Sequence, residues 1–333
     1  MIVDRRDLEK LLERLSREAR DPRAGVFGPE SMLWRINRES IAFLGGGRAA
    51  LLQLAHPYVA HAIEQHSQTK SDLLGRFVRT FDNMFALVFG DLDSALRSAR
   101  RVHAYHGTIK GQIDEDVGPF ARGHAYAANT LPALLWVQAT LIHTSVQVFE
   151  LVIRPLSRWE KDAYYEDSKK FGFLFAIPED AAPPDWPAFE RYVEDMFAPG
   201  SPIVVGRPAR EMAHFLMQPP KPGMGPFMSW YSTMTAALLP ERIRDEYGLH
   251  VGERERAVFR GSIETLRRVY PRLPAPVRYL PAYNDALRRI AAERPTSLER
   301  LISGVWDRLA RANRPHPRDR GHGKPGHAAT PST

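Results

Sequence analysis

The sequence predicts an all-α protein built as a single large helical domain. Apolar residues recur at helical spacing, and no stretch alternates apolar and polar residues as a half-buried strand would. With 333 residues, 44% of them hydrophobic, the chain is large enough for a sizeable core. We expect an N-terminal helix and connection over residues 1–30, a helical domain over 31–312 and a disordered tail over 313–333.

Start and stop signals divide the chain into successive helices. Gly90 ends one amphipathic stretch, Asp91 or Asp93 caps the next, and Pro57 kinks or restarts an earlier one. Pro-rich links separate the later stretches. We expect helices at residues 1–20, 31–44, 49–66, 73–89, 91–106, 132–154, 157–172, 186–197, 207–217, 227–239, 252–269 and 283–311.

The least polar stretch, residues 131–153, is expected to be a buried helix. It contains Gln138, His143 and Glu150 among other polar groups, and a membrane span of this length rarely carries so many. No transmembrane segment is therefore expected. The first residues lack the apolar core of a signal peptide, which favours a cytoplasmic location.

Composition excludes several classes of site. The chain has no cysteine, which excludes disulfides, thiolate-ligated haem, iron–sulfur clusters and cysteine-based zinc sites. The net charge of +7 comes mainly from arginines scattered over the whole chain. They are not interleaved with aromatic residues as in a single-strand binder, so no nucleic-acid partner is expected.

Two imidazoles occupy positions where leucines usually pack. Projected at helical spacing, residues 91–106 form one stripe that contains Leu92, Leu96, Ala99, His103 and His106. A buried imidazole needs partners for its nitrogens, and a metal ion is one such partner. Gly107 removes a side chain where a flat group such as a porphyrin could approach. The alternative is two core histidines bonded to backbone carbonyls.

The amphipathic stretch at residues 73–89 has an unusual polar face. Arg76, Arg79 and Thr80 lie on it at spacings of three and four, without the mixed charges of an ordinary solvated surface. This pattern is typical of a pocket that holds an anionic or polar group. An ordinary surface face is the alternative.

The glycine triplet at residues 45–47 opens a helix and is followed by Arg48, which is a candidate for binding a carboxylate. A tight turn with close helix packing is the alternative. His56, His61 and His66 form a further cluster, but their spacing fits no standard zinc pattern. A second Glu-x-x-His motif and a Gly-x-Ser-x-Gly motif are both missing, which disfavours a di-iron site and a serine hydrolase.

Taken together, these runs resemble the MpaB / rubber oxygenase (latex clearing protein) catalytic-domain family. The resemblance rests on residues 44–57, Arg76-x-x-Arg79-Thr80, Phe89-Gly90, Val102-x-x-x-His106-x-x-Ile109-x-Gly111, residues 136–140, Glu160 with Tyr164 and Glu166, and the region of Pro183, Phe189 and Tyr192. Their order and spacing over roughly residues 32–250 carry it, and no single run would suffice.

The resemblance implies a globin-like helical core that holds one b-type haem, with His106 as the proximal ligand of the iron. It also implies that Arg76 and Thr80 lie in or beside the haem pocket. Family members use dioxygen to oxidise hydrophobic substrates: rubber oxygenases cleave polyisoprene, and fungal members cleave a farnesyl-type side chain. The candidate catalytic residues are therefore Arg76, Arg79 and Thr80, and the candidate cofactor-binding residues are His106, His103, Arg48 and His56.

Three features depart from the rubber oxygenases. Arg79 stands where they have a lysine that can cap the iron, and arginine cannot do so because it is always protonated. Their catalytic glutamate has no clean counterpart, and Glu64 is merely nearest. A secretion signal is absent. These features favour a small intracellular apolar substrate, isoprenoid or otherwise unsaturated, over a polymer.

The expected partners are dioxygen and this substrate, and a homodimer is permitted. Two alternatives stay open at this stage. One is a non-catalytic haem-binding or haem-sensing helical protein, whose sixth iron position would be filled by a second strong ligand from the protein. The other is a helical binding module without any cofactor.

Overall fold

Helices dominate the computed structural model, which describes residues 1–66, 82–218 and 223–292. The α-helices are α1 (Arg5–Glu18), α2 (Met32–Asn37), α3 (Gly46–Leu54), α4 (Pro57–His66), α5 (Leu92–Gly107), α6 (Leu131–Val152), α7 (Arg158–Phe173), α8 (Trp186–Phe197), α9 (Arg207–Leu216), α10 (Gly225–Leu238), α11 (Glu241–Glu246), α12 (Glu253–Val269), α13 (Ala275–Arg278) and α14 (Pro281–Ala291). Short 3-10 turns lie at Pro22–Ala24, Ser40–Gly45, Glu179–Ala181 and Tyr270–Arg272. Residues 82–89 are also helical. The predicted all-α class is confirmed.

One small sheet was not predicted. Strand β1 (Lys110–Gln112) pairs antiparallel with β2 (Ala125–Ala127), with Gly111 opposite Tyr126. A strand of three residues is too short to show an alternating pattern in the sequence. The side chains of Gln65 and His66 on α4 contact backbone oxygens of β1. The connection that follows β1, which includes Asp114 and Glu115, therefore begins beside α4.

Most helices agree with the sequence prediction, and the differences have local causes. The expected helix at 31–44 divides into α2 and the 3-10 turn Ser40–Gly45, and the stretch at 49–66 restarts at Pro57. The short helices α11 and α13 were not predicted, because six and four residues are too few to show a helical period. Residues 73–81 of one expected helix and most of 283–311 lie outside the described residues, as does the tail.

Helix α6 forms the centre of the fold. Its 22 residues pack against the Ser40–Gly45 turn, α2, α3, α7 and α12, and Trp136, Ile142, Val146 and Val152 are among its buried side chains. The expectation of a buried helix here is confirmed. None of the described helices is long and apolar enough to cross a membrane.

The N-terminal helix belongs to the same core. Asp4 caps α1 and forms a capping box with Asp7. Leu8, Leu12 and Leu15 recur at helical spacing and are buried against the rest of the domain. As a result, α1 packs on α5 and α7 and covers the helix that carries His103 and His106.

Trp34 joins the early helices to the segment that precedes α5. Its indole Nε1 donates a hydrogen bond to the backbone oxygen of Val88 over 2.7 Å. The ring meets Phe89 and Tyr283 edge to face, with centroids 5.3 and 5.7 Å away. Because Trp34 is fully buried, both its apolar area and its hydrogen bond contribute to stability.

We expect Trp34→Phe to lower the free energy of unfolding by about 1–3 kcal/mol, because the buried Val88 carbonyl loses its donor and a small cavity forms. Denaturation in guanidinium chloride followed by circular dichroism measures the change. The matched control is Trp159→Phe, since the Trp159 side chain is 68% exposed. Equal stability of the two variants would contradict this account of Trp34.

Candidate functional site

The candidate cofactor site is built on α5. Asp91 caps this helix and accepts a hydrogen bond from the backbone N–H of Ser94 over 2.7 Å. Leu96, Ala99 and His103 are buried on one face, and His106 lies partly buried on the last turn. The expected stripe is therefore present, with both imidazoles on or beside the buried face.

His103 faces the N-terminal helix. Burial lowers the pKa of its imidazole, and the nearby carboxylates of Asp4, Asp7 and Glu9 on or beside α1 oppose that shift. Its Nδ1 is buried and has no hydrogen-bond partner in the described part of the chain. His103 thus occupies the α1–α5 interface with one polar atom unsatisfied.

His106 is held as a neutral imidazole. Burial, together with the neighbouring His103, lowers its pKa to about 4, although a hydrogen bond with the Asn129 side chain opposes the shift. An imidazole that is neutral at physiological pH keeps a nitrogen lone pair for a metal ion. The sequence alone did not indicate Asn129, which lies after β2 and far from α5 in the chain.

Asn129 links the two histidines. Its side-chain nitrogen donates to the backbone oxygen of His103 over 3.2 Å, which leaves its side-chain oxygen to accept from the His106 ring. An acceptor that binds one ring N–H of an imidazole fixes the orientation of the ring and leaves the other nitrogen free to bind a metal ion. The described surroundings therefore give His106 the form that a metal-ligating histidine needs.

Gly107 leaves open space beside His106. A Cβ atom placed on Gly107 would meet only the Asn129 side-chain nitrogen among the described residues, at 4.0 Å. Packing against the described residues therefore does not require a glycine at this exposed helix end, and the position leaves room for a planar group. With His106 on the same turn, this part of the protein has the residues that the proximal side of a haem needs.

Arg48 is buried behind the start of α3. Its side chain is 1% exposed, and no carboxylate among the described residues pairs with it. The guanidinium donates instead to the Leu238 backbone oxygen, to the Thr144 hydroxyl and to His143 Nδ1, over 2.9, 2.5 and 3.1 Å. Burial lowers the pKa of Arg48 to about 10.

The glycines before Arg48 permit close helix packing. A Cβ atom on Gly45 would lie 2.4 Å from Thr144 Cγ2, and one on Gly47 would lie 2.2 Å from the Thr235 hydroxyl oxygen. The tight-packing interpretation of the triplet therefore holds in this structure. Arg48 joins α3 to α6 and to the end of α10.

His56 is the residue that precedes α4, and its side chain caps that helix. Its Nδ1 accepts the backbone N–H of Tyr58 over 3.2 Å, and its ring meets the Tyr58 ring edge to face. Burial lowers the pKa of His56 to about 4. Because Nδ1 accepts a hydrogen bond in the neutral ring, Nε2 carries the proton and has no lone pair for a metal ion.

A second cluster surrounds His61, which the sequence grouped only with His56 and His66. Asp114, from the connection after β1, lies against His61, and Arg207 at the start of α9 pairs with both Asp114 and Glu64. Burial alone would raise the pKa of Asp114, but His61 and Arg207 outweigh it and hold that pKa below its usual range. Asp114 and Arg207 were not predicted, because no sequence pattern links them to α4.

The remaining candidates are Arg76, Arg79 and Thr80. All three lie within residues 67–81, outside the described residues. Their assignment to a pocket stays a prediction from the sequence.

The chain matches a family described as "ER-bound oxygenase mpaB/B'/Rubber oxygenase, catalytic domain" over residues 33–268, more than two thirds of its length. Two curated relatives, uncharacterized proteins of Mycobacterium bovis and Mycobacterium tuberculosis, are each 40% identical over 58 residues. That stretch is 17% of this chain and spans 23% of each relative. No solved structure matches the chain.

The buried histidines predict how stability depends on pH. His56 and His143 have pKa values lowered by burial to about 4 and about 3, against 6.5 for an ordinary imidazole. As the pH falls below about 6.5, these two histidines therefore bind protons in the unfolded chain but not yet in the folded chain. We expect the free energy of unfolding to fall as pH drops from about 6.5 towards 4, by up to about 1.4 kcal/mol per pH unit for each histidine.

The measurement is urea denaturation at a series of pH values. His143→Gln should reduce the slope between pH 6.5 and 4, whatever its effect on absolute stability. The control is His214→Gln on α9, where the side chain is exposed. A slope unchanged by His143→Gln would show that His143 is not held neutral in the folded protein.

Proposed function

The chain belongs to the MpaB/rubber oxygenase catalytic-domain family, and from this premise we propose that it is a haem b-dependent oxygenase that uses dioxygen to oxidise an apolar, unsaturated substrate. The observation that carries the proposal is the position of His106 on the last turn of α5, against the Asn129 side chain and next to Gly107. This is the arrangement that a proximal haem ligand requires.

His106 would hold the haem iron through one ring nitrogen while the other donates to Asn129. The haem would supply the activation of dioxygen, and the protein would supply binding, orientation and exclusion of water. His103, one helical turn away and with its Nδ1 unsatisfied, lies at the α1–α5 interface and would support the helix that carries His106. Since the two positions differ by about 60 degrees around the helix, only one can point squarely at the iron.

Arg48 and His56 are assigned supporting roles in this proposal. The hydrogen bonds of Arg48 go to Leu238, Thr144 and His143, and the His56 ring caps α4. Both side chains would therefore fix the helices that surround the cofactor. Arg76, Arg79 and Thr80 would form the opposite side, where dioxygen and substrate arrive.

The family's description, which includes rubber oxygenases, supports an apolar, unsaturated substrate. We propose a small unsaturated compound such as a short isoprenoid. Oxygen uptake with short isoprenoids and with polyisoprene latex tests the proposal. Oxygen uptake with the short isoprenoids supports the proposal. Oxygen uptake with latex alone would show that the substrate is a polymer and not a small compound. A haem-loaded protein that consumes no oxygen with either would support a non-catalytic haem-binding protein.

We expect His106→Ala to abolish haem retention, because the iron loses its protein ligand. The measurement is the Soret absorbance and the extractable haem of protein from haem-supplemented cells, with about one haem per chain expected for the wild type. The matched control is His103→Ala, on the same helix, which should retain haem. The assignment is wrong if His103→Ala loses the haem and His106→Ala keeps it. A wild-type protein that cannot be reconstituted with hemin would overturn the cofactor proposal itself.

Arg76, Arg79 and Thr80 are expected to act on the side of the haem opposite His106. A donor there would stabilise negative charge that develops on oxygen, an effect typically worth about 3 kcal/mol per donor. Replacing any of these three residues by Ala should shift the C–O stretching frequency of the protein's carbon monoxide complex. It should also slow substrate oxidation. A residue that only pairs with a haem carboxylate should instead weaken haem binding without that shift. No change in any of these quantities for all three variants would remove these three residues from the site.

A further inference from the structure

Three side chains that could bind a metal ion lie together at the junction of α4, α9 and the connection after β1. His61 and Glu64 lie one helical turn apart on α4, and Asp114 approaches them from the β1 side. One ligand atom from each of the three residues lies within 4.8 Å of the other two. The site shares no residue with the His106 site.

The hydrogen bonds of His61 determine which of its nitrogens is available. Nδ1 lies 2.9 Å from the backbone oxygen of Pro57, and a carbonyl oxygen can only accept, so Nδ1 carries the proton. Nε2 lies 2.9 Å from Asp114 Oδ1 and 3.7 Å from Glu115 Oε1. In the neutral imidazole, the Nε2 lone pair therefore faces carboxylate oxygens, which are also acceptors.

Two acceptors facing each other in this way require a positive centre between them. The His61 side chain is 0% exposed, so bulk water cannot separate it from the carboxylates. Either a second proton makes the ring an imidazolium, or a metal ion lies between nitrogen and oxygen. An Nδ1–H that donates to a carbonyl while Nε2 faces carboxylates is the hydrogen-bonding arrangement of metal-ligating histidines.

We propose that His61 Nε2, Glu64 and Asp114 bind one divalent transition-metal ion. Ligand bonds of about 2.0–2.2 Å at a right angle place two ligand atoms about 3 Å apart, close to the 2.9 Å between Nε2 and Asp114 Oδ1. One imidazole with two carboxylates suits manganese, iron or zinc better than the all-oxygen ligand sets of magnesium and calcium.

Arg207 holds the two carboxylates from the other side. It bonds Asp114 Oδ2 over 2.7 Å and the two Glu64 oxygens over 2.6 and 3.2 Å. Asp114 thus divides its oxygens between Arg207 and His61. The guanidinium orients the ligands, and its positive charge also weakens the attraction of a cation to them. Asp114 is 50% exposed, which gives an ion and its water ligands access.

The test uses the full-length chain without a histidine tag, stripped with a chelator and then titrated with Mn²⁺ under electron paramagnetic resonance. We expect one Mn²⁺ per chain, displaced by Zn²⁺. Asp114→Asn should weaken binding at least about tenfold, since even supporting residues of metal sites contribute this much. Asp162→Asn is the matched control, because Asp162 is also an exposed aspartate paired with an arginine. His61→Gln should abolish binding, with circular dichroism to confirm folding.

The variant Arg207→Gln should change metal affinity in the opposite direction from Asp114→Asn. If a metal ion is the positive centre, removal of the competing guanidinium should tighten Mn²⁺ binding. The absence of saturable Mn²⁺ and Zn²⁺ binding in both the wild type and Arg207→Gln would overturn the proposal in favour of a protonated His61. Binding that Asp114→Asn leaves unchanged would overturn it too. Haem content is measured independently in the Soret region, so failure of this site leaves the His106 proposal unaffected.

Discussion

The rest of the fold depends on one constraint, the burial of α6 on all sides. A helix that is covered by other helices must approach their backbones closely, and most of its buried polar side chains need hydrogen-bond partners. Gly45 and Gly172 provide the close approach, since a Cβ atom at either position would overlap Thr144 or Gln138. The Gln138 side-chain nitrogen in turn donates to the Ser168 backbone oxygen over 2.5 Å. The polar groups of α6 thereby fix how the neighbouring helices are placed.

Arg48 shows the energetic consequence of this constraint. A buried cation without a carboxylate partner is costly, and only a full set of acceptors offsets part of that cost. Leu238, Thr144 and His143 supply acceptors from α10 and α6. His143 must remain neutral to accept from Arg48, which agrees with its lowered pKa. The arginine therefore joins three helices through hydrogen bonds that no apolar residue could reproduce.

The sequence predicts most of the helices because their period and caps are local properties. It also predicts the buried stripe that holds His103 and His106, but not Asn129, which reaches α5 only through the β1–β2 pair. Likewise, His61 could be noticed in the sequence, whereas its neighbours Asp114 and Arg207 come from segments with no shared pattern. Contacts between distant segments arise from packing, and a single sequence shows no signal for them.

Hydrogen-bond partners distinguish the histidines proposed as metal ligands from the other buried or half-buried histidines. The Nδ1 atoms of His56 and His143 accept hydrogen bonds from Tyr58 and Arg48, so in these neutral rings Nε2 must carry the proton and the lone pair is already used. His61 instead donates through Nδ1 to the Pro57 carbonyl, so its Nε2 is the nitrogen that faces Asp114. His106 has an acceptor in the Asn129 side chain and is left with one available nitrogen. Of these four histidines, His56 and His143 thus stabilise the helices around them, and His61 and His106 are the ligands proposed for the two metal sites.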